Sequence, residues 1–115
     1  MVATQSIVPE YPLKFIQECV KDQKVVWTYH VNMRMKGRFI PRKFILDTVE
    51  NYQIIEEYPK DKYFPSYLVY SCYNETEFHI LFATDVGGNN VRIITAYIPN
   101  IIDWEKGLKK RRRSQ

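Results

Sequence analysis

A histidine and two arginines follow one another at four-residue spacing in "YHVNMRMKGR", the stretch from Tyr29 to Arg38. They are His30, Arg34 and Arg38, and no acidic residue lies among them. Cleavage of RNA without a metal requires a base for the 2′-hydroxyl, an acid for the leaving oxygen and cations around the phosphorane. Histidine suits the first two roles because its pKa lies near neutrality, and the planar guanidinium of arginine binds phosphate oxygens in pairs. The stretch is therefore either a site for phosphate chemistry or a solvated basic helix face.

Two further residues complete the candidate catalytic set, and both fall in strand-like segments. His79, the second of the chain's two histidines, lies in "EFHILFAT", where an ionisable side chain requires a partner or a cleft. Tyr97 lies late in "VRIITAYI" and can donate a hydrogen bond to a phosphate. We predict that His79 approaches His30 and Arg34 from the sheet, so that the two histidines share the acid and base roles.

Each of these candidates also has a structural interpretation. His30, at the start of a helix, could simply satisfy backbone groups, and His79 could be a core histidine whose hydrogen bonds are complete. Arg34 could pair with an acidic residue such as Glu56 or Glu57. Both interpretations are open at the level of sequence.

The charge of the chain is segregated. Residues 105–115 carry six positive charges and one negative charge, residues 30–43 hold five basic residues and no acid, and residues 44–104 hold three basic and nine acidic residues. Such segregation suggests that a polyanion faces one side, although a solvated helix and a disordered tail would show the same pattern. The candidate nucleic-acid-binding residues are Lys36, Arg42, Lys43, Lys109, Lys110, Arg111, Arg112 and Arg113.

Length and composition favour one cytoplasmic domain. The 115 residues suffice for a single core, and the 45% of hydrophobic residues is typical of a folded chain. We see no signal peptide and no apolar run near the ~18 residues of a membrane span. Cys19 and Cys72 are expected to be buried free thiols. Because close clusters of metal ligands and glycine-rich phosphate loops are missing from the sequence, we expect no metal and no cofactor.

Hydrophobic periodicity predicts helices first and strands afterwards. Prolines at 12 and 41 open two helices, and a third helix covers residues 30–36 after a short strand at 25–29. Four β-branched and aromatic runs follow, at 52–58, 66–73, 77–84 and 91–98. They predict an α+β fold in which N-terminal helices pack on a four- to five-stranded, mainly antiparallel sheet. This single domain spans residues 11–104, between an N-terminal extension (1–10) and a basic C-terminal tail (105–115).

Several blocks in fixed order resemble a known family. They are "HVNMRMKGRFI", "NYQIIEEYP", "SYLVY", "FHILFA" and "IITAYIPNIIDW". They resemble a family of small prokaryotic proteins catalogued as a domain of unknown function, whose motif is a histidine, then arginine-methionine four residues later, then an arginine that opens the next turn. That family usually has glycine where this chain has Phe39. The turn is therefore made either with Gly37 or by a non-glycine residue in a tighter geometry, and the placement of Arg38 depends on which.

The family is thought to be similar to the RelE/ParE toxin superfamily, whose members pack two helices against a small antiparallel sheet. The resemblance implies a toxin-like, metal-independent endoribonuclease that acts on RNA, with or without the ribosome, and that a small antitoxin-like protein neutralises. One alternative is a non-catalytic module of the same fold that binds nucleic acid or protein. Another is a scaffold whose histidines are structural.

Overall fold

The computed structural model describes residues 7–112, in which three helices accompany a five-stranded sheet. The helices are α1 (Pro12–Lys21), α2 (Tyr29–Gly37) and α3 (Arg42–Asp47), and a 3₁₀ helix follows at Val49–Asn51. The strands are β1 (Val25–Val26), β2 (Gln53–Tyr58), β3 (Ser66–Tyr73), β4 (Thr76–Asp85) and β5 (Asn90–Tyr97). The predicted α+β class, with helices ahead of a mainly antiparallel sheet, is confirmed.

The strands are ordered β1-β5-β4-β3-β2. Neighbours from β2 to β5 are antiparallel, whereas β1 pairs with β5 in parallel. The first strand is shorter than the sequence predicts because Thr28 leaves the sheet to cap α2. Its hydroxyl oxygen accepts a hydrogen bond from the backbone N–H of Val31 at 3.1 Å, which satisfies one of the free donors at the start of the helix.

The helices cover one face of the sheet, and the hydrophobic core lies between the helices and this face. Phe78, Ile80 and Phe82 of β4 are fully buried in this core. Side chains alternate along a strand, so His79 and Leu81 point to the opposite face. We call that opposite face the outer face; across it, Tyr70, His79 and Tyr97 stand side by side on β3, β4 and β5.

Residues 98–112, here called the C-terminal segment, fold back over the outer face. Trp104 is buried and meets the ring of His79 edge to face, with the ring centroids 4.3 Å apart. A backbone hydrogen bond stabilises a turn within the segment, since the Glu105 N–H donates to the Lys110 carbonyl at 2.8 Å. Its basic residues up to 112 therefore belong to a packed segment, and Arg113 lies outside the described residues.

Two smaller findings concern the cysteines and the lengths of the helices. Cys19 and Cys72 are both free thiols, as predicted, but Cys19 is buried whereas Cys72 is partly exposed. Between residues 7 and 112 no helix has the length and apolar character needed to cross a membrane.

Candidate functional site

Helix α2 presents His30 and Arg34 to solvent. Val31 and Met35, on its other side, are buried in the core, so that residues 30 and 34 lie one turn apart on the exposed side. Neither His30 nor Arg34 forms a side-chain hydrogen bond or ion pair with another residue in the range 7–112. Both side chains are therefore available to a ligand.

Arg38, at the C-terminal cap of α2, reaches strand β5. Its Nη1 donates to the Ala96 carbonyl at 2.8 Å and to the Thr95 hydroxyl at 3.1 Å. The residue as a whole is exposed, and one nitrogen of its planar fork makes both bonds. The other N–H groups of the guanidinium remain directed to solvent, so Arg38 ties α2 to the sheet and still has donors for a phosphate.

The turn that follows α2 is made by Phe39 and not by Gly37. Phe39 has φ +58°, in the left-handed region. Its N–H donates to the Lys36 carbonyl at 3.2 Å, while the N–H of Ile40 donates to the Met35 carbonyl at 2.9 Å. These two bonds form a Schellman motif, which usually has glycine at the position that Phe39 occupies. The tighter, non-glycine alternative is the one that occurs, and it places Arg38 against β5.

The three other cations predicted in this region differ in their surroundings. Arg42 stacks on Trp27, with its guanidinium carbon 4.5 Å from the ring centroid, and its Nε donates to Asn32 Oδ1 at 3.1 Å. Lys43 pairs with Asp47 one turn on, at 3.9 Å. Lys36 is exposed and has no side-chain partner among the described residues. Lys43 is thus neutralised, whereas the charges of Arg42 and Lys36 are not.

We use the term basic patch for the cations around α2 and the start of α3 that pair with no acid in the described part of the chain. It consists of Arg34, Lys36, Arg38 and Arg42. An open cavity of about 390 Å³ lies within the patch, between α2 and α3. It is lined by Asn32, Met35, Lys36, Phe39, Ile40, Pro41 and Arg42.

His79 has a different environment. It is 0% exposed, its Nε2 donates to the Leu108 carbonyl at 2.6 Å, and its Nδ1 accepts from the Tyr97 hydroxyl at 3.3 Å. Nε2 therefore carries a proton, because a carbonyl can only accept, and burial of the ring favours the neutral imidazole. Burial lowers the pKa of His79 below its ordinary value, and the bond to Leu108 opposes this effect. Both ring nitrogens are satisfied, as in the structural interpretation of this residue.

The cations of the outer face are also engaged. Arg111 Nε lies 2.7 Å from Glu56 Oε2, and its guanidinium stacks on Trp104, 4.6 Å from the ring centroid. The Tyr58 hydroxyl donates to the same carboxylate. The alternative in which Arg34 pairs with Glu56 is therefore not found, because Arg111 takes that place.

Tyr97 lines a groove of about 370 Å³ on the outer face, together with Thr95, Tyr58, Arg111 and other residues. Burial raises the pKa of the Tyr97 phenol above its ordinary value, an effect that the nearby Arg111 guanidinium opposes. The phenol is therefore protonated at neutral pH and acts as a donor. In the structure it donates to His79, and that bond orients the imidazole.

The remaining cations of the C-terminal segment contact the protein to different degrees. Lys109 lies over the ring of Tyr70, with Nζ 4.7 Å from the centroid, and Arg112 Nε donates to the Ile101 carbonyl at 2.7 Å. Lys110 is exposed. Their charges stay near the surface, and their stems help to hold the segment on the outer face.

The chain matches a known protein family. Residues 27–98 match the family described as Domain of unknown function (DUF4258), over more than half of the chain. The chain belongs to this family. Neither the curated proteins nor the solved structures provide a match. The similarity to the RelE/ParE superfamily remains a prediction.

The part that matches DUF4258 includes the basic patch as well as His79 and Tyr97, and it leaves out α1 and the segment that covers His79.

The structure does not bring the predicted catalytic set together. His30 lies on the exposed side of α2, which packs on the helical face of the sheet, whereas His79 lies under the C-terminal segment on the outer face. Arg38 connects α2 with the sheet through its bonds to β5.

Sequence reasoning missed the residues that close the outer face, namely Trp104 and the carbonyl of Leu108. It also missed the Glu56–Arg111 pair, whose members lie 55 residues apart. The one local signal was Trp104 itself, a large aromatic residue just before the basic run that is typical of a packed segment. Among residues 7–112, no three His, Cys, Asp or Glu side chains group closely enough to hold a metal ion.

Proposed function

We propose that this DUF4258 protein binds RNA through the basic patch, with His30 beside it on α2. The observation that supports the proposal is the absence of acidic partners for Arg34, Lys36, Arg38 and Arg42 within residues 7–112. Cations on one exposed surface bind a phosphate backbone and release its counterions. The exposed part of Arg38 adds a guanidinium held in a fixed position by Thr95 and Ala96.

Two cations of the neighbouring helix α1 have acidic partners, unlike those of the basic patch. Lys14 pairs with Glu18 at 3.9 Å, and Lys21 pairs with Glu50. Surface pairs of this kind contribute little to stability, but in each pair the carboxylate offsets the attraction of the cation for a polyanion. The basic patch therefore carries the strongest unbalanced positive charge in the helical layer.

Binding of a labelled single-stranded RNA, followed by fluorescence anisotropy over a range of salt concentrations, tests this proposal. Arg34→Ala and Lys36→Ala should each weaken binding several-fold and reduce the slope of log affinity against log salt by about 0.7 per lost phosphate contact. Lys43→Ala is the matched control, because Lys43 is exposed and nearby but already paired with Asp47. Equal losses in all three variants, or no loss in any, would contradict the proposal.

A second candidate function is a toxin-like endoribonuclease centred on α2. His30 is the only one of the chain's two histidines that is exposed, and Arg34 lies one turn away on the same side. In this mechanism His30 accepts the proton of the 2′-hydroxyl, the oxygen attacks the phosphorus, and Arg34 and Arg38 stabilise the phosphorane. A proton from water then neutralises the leaving 5′-oxygen. His79 takes no direct part, because its ring is covered.

Incubation with RNA, with and without ribosomes, followed by mapping of the RNA ends, tests this candidate. His30→Ala should abolish cleavage while RNA affinity falls little, and His30→Gln serves as a control that keeps a polar side chain. Induction in the cytoplasm should arrest growth in the wild type alone, and a small antitoxin-like protein from a neighbouring reading frame should relieve the arrest. Intact RNA and normal growth with the wild type would leave the binding function as the better account.

A further inference from the structure

Phe39 combines two features that folding alone does not favour. The residue is 84% exposed, and its backbone occupies the left-handed region with φ +58°. Glycine adopts this conformation without strain, whereas a side chain with a Cβ does not. An exposed aromatic ring at the glycine position of a Schellman motif neither stabilises the turn nor fills the core.

The ring of Phe39 forms part of the cavity between α2 and α3. Met35 and Ile40 at its base are buried core residues, and Pro41 adds a third apolar surface. The polar groups at the edge come from Asn32, Lys36 and Arg42. The volume of about 390 Å³ gives a planar ring system room to enter with its polar edge near these groups.

The charges around the cavity indicate what kind of ring it accepts. Lys36 and Arg38 precede Phe39 in the chain, and neither pairs with an acid in the described residues. A ligand with a planar apolar face, a polar edge and anionic groups on either side fits this arrangement, and a nucleotide within a single strand has all three. Stacking of bases on exposed aromatic side chains is a common mode of single-strand recognition.

We propose that the cavity binds an unpaired nucleobase of single-stranded RNA, which stacks on Phe39 while Lys36 and Arg38 contact the neighbouring phosphates. This inference rests on the proposed RNA binding and adds the part of the ligand that the cavity recognises. It also accounts for a non-glycine residue at this turn.

The decisive comparison uses Phe39→Gly, a change that the turn itself favours. The thermal midpoint should rise by a few degrees, because the strain at φ +58° disappears. Affinity for a single-stranded RNA that carries 2-aminopurine should fall about tenfold, and the quenching of the 2-aminopurine should be lost. Phe39→Tyr should retain both the RNA affinity and the quenching of 2-aminopurine. The matched control is Tyr63→Gly, since Tyr63 is also exposed (75%) and also has a positive φ of 79°, but lies in the loop between β2 and β3.

Inorganic polyphosphate, a polyanion without bases, separates this inference from the proposed function. Phe39→Gly should bind polyphosphate as tightly as the wild type, whereas Arg34→Ala should weaken binding of both ligands. If Phe39→Gly binds RNA like the wild type, or loses both ligands equally, or if Tyr63→Gly weakens RNA binding as much, the base-binding cavity is refuted while the basic patch stands. Capture of a protein by the wild type and not by Phe39→Gly, with RNA affinity unchanged, would likewise overturn it. A wild type that binds neither RNA nor polyphosphate overturns both proposals.

Discussion

Helix α2 and the outer face of the sheet each present a histidine and an arginine, but the two pairs have different surroundings. On the outer face, His79 has a partner for each ring nitrogen, and Arg111 has a carboxylate. On α2, His30 and Arg34 have no hydrogen-bond partner and no ion pair for their side chains among the described residues. The comparison teaches that residue type identifies candidates, while the presence or absence of partners separates structural from functional ones.

The largest effect that could contradict this comparison is expected for Trp104, a buried residue of the C-terminal segment that packs against His79. Trp104→Ala should lower the free energy of unfolding by about 3 kcal/mol, because it removes a large side chain and leaves a cavity above His79. Urea denaturation measures the loss, and Trp104→Phe should recover much of it. RNA affinity, measured well below the unfolding midpoint, should stay unchanged. A coupled loss of affinity would mean that the two regions are not independent.

The next effect concerns pH. Burial lowers the pKa of His79 in the folded state, so the unfolded chain binds a proton more readily, and stability falls as the pH drops below the unfolded value of about 6.5. The free energy of unfolding should decrease by on the order of 1 kcal/mol between about pH 7.5 and pH 5.5. His79→Gln should flatten this dependence, and His30→Ala should keep it. A dependence that follows His30 would reverse the roles assigned to the two histidines.

A smaller effect is expected for Arg111→Gln. The Glu56–Arg111 pair is half-exposed on its arginine side, and such pairs typically contribute about 0.5 kcal/mol. Chemical denaturation should show a loss of this size that shrinks at high salt. A loss above about 2 kcal/mol would show that the pair, and not Trp104, holds the C-terminal segment in place.

The smallest effect should come from Arg34→Ala, which removes no side-chain hydrogen bond or ion pair within the described part of the chain. The free energy of unfolding should change by less than about 0.5 kcal/mol, in contrast to the expected loss of RNA affinity. Denaturation and binding measured on one preparation give both values. A marked loss of stability would indicate that Arg34 is a structural residue after all.

Short sequence patterns predicted most of the helices and strands, because these elements depend on interactions between residues close in sequence. The four strands from β2 to β5 and the helix that starts at Pro12 follow from hydrophobic periodicity and turn residues. The sequence predicts one helix over residues 41–52, whereas α3 ends at Asp47 and a 3₁₀ helix continues the chain. The parallel pairing of β1 could not be predicted, because two residues contain no information about their partner strand.

The candidate site was predicted well along α2 and poorly across the sheet. The four-residue spacing correctly placed His30 and Arg34 on one exposed side, since helix periodicity fixes this relation. Which face of the sheet carries His79 depends on strand register and on the position of α2, and both arise from long-range packing. The Leu108 carbonyl that satisfies His79 is a backbone group 29 residues away, and no side-chain pattern in the sequence identifies it.

A guanidinium held against strand β5 also governs how copies of the chain meet one another. Among the described residues, β1 covers β5 only at Val91 and Arg92, so the rest of that edge has no second strand. Open edges recruit strands from other molecules and start aggregation, and natural proteins counter this with charged side chains. Arg38 occupies the Ala96 carbonyl and places a positive charge there. We therefore expect the same arginine that is proposed to hold a phosphate to disfavour pairing of β5 with another copy of the chain.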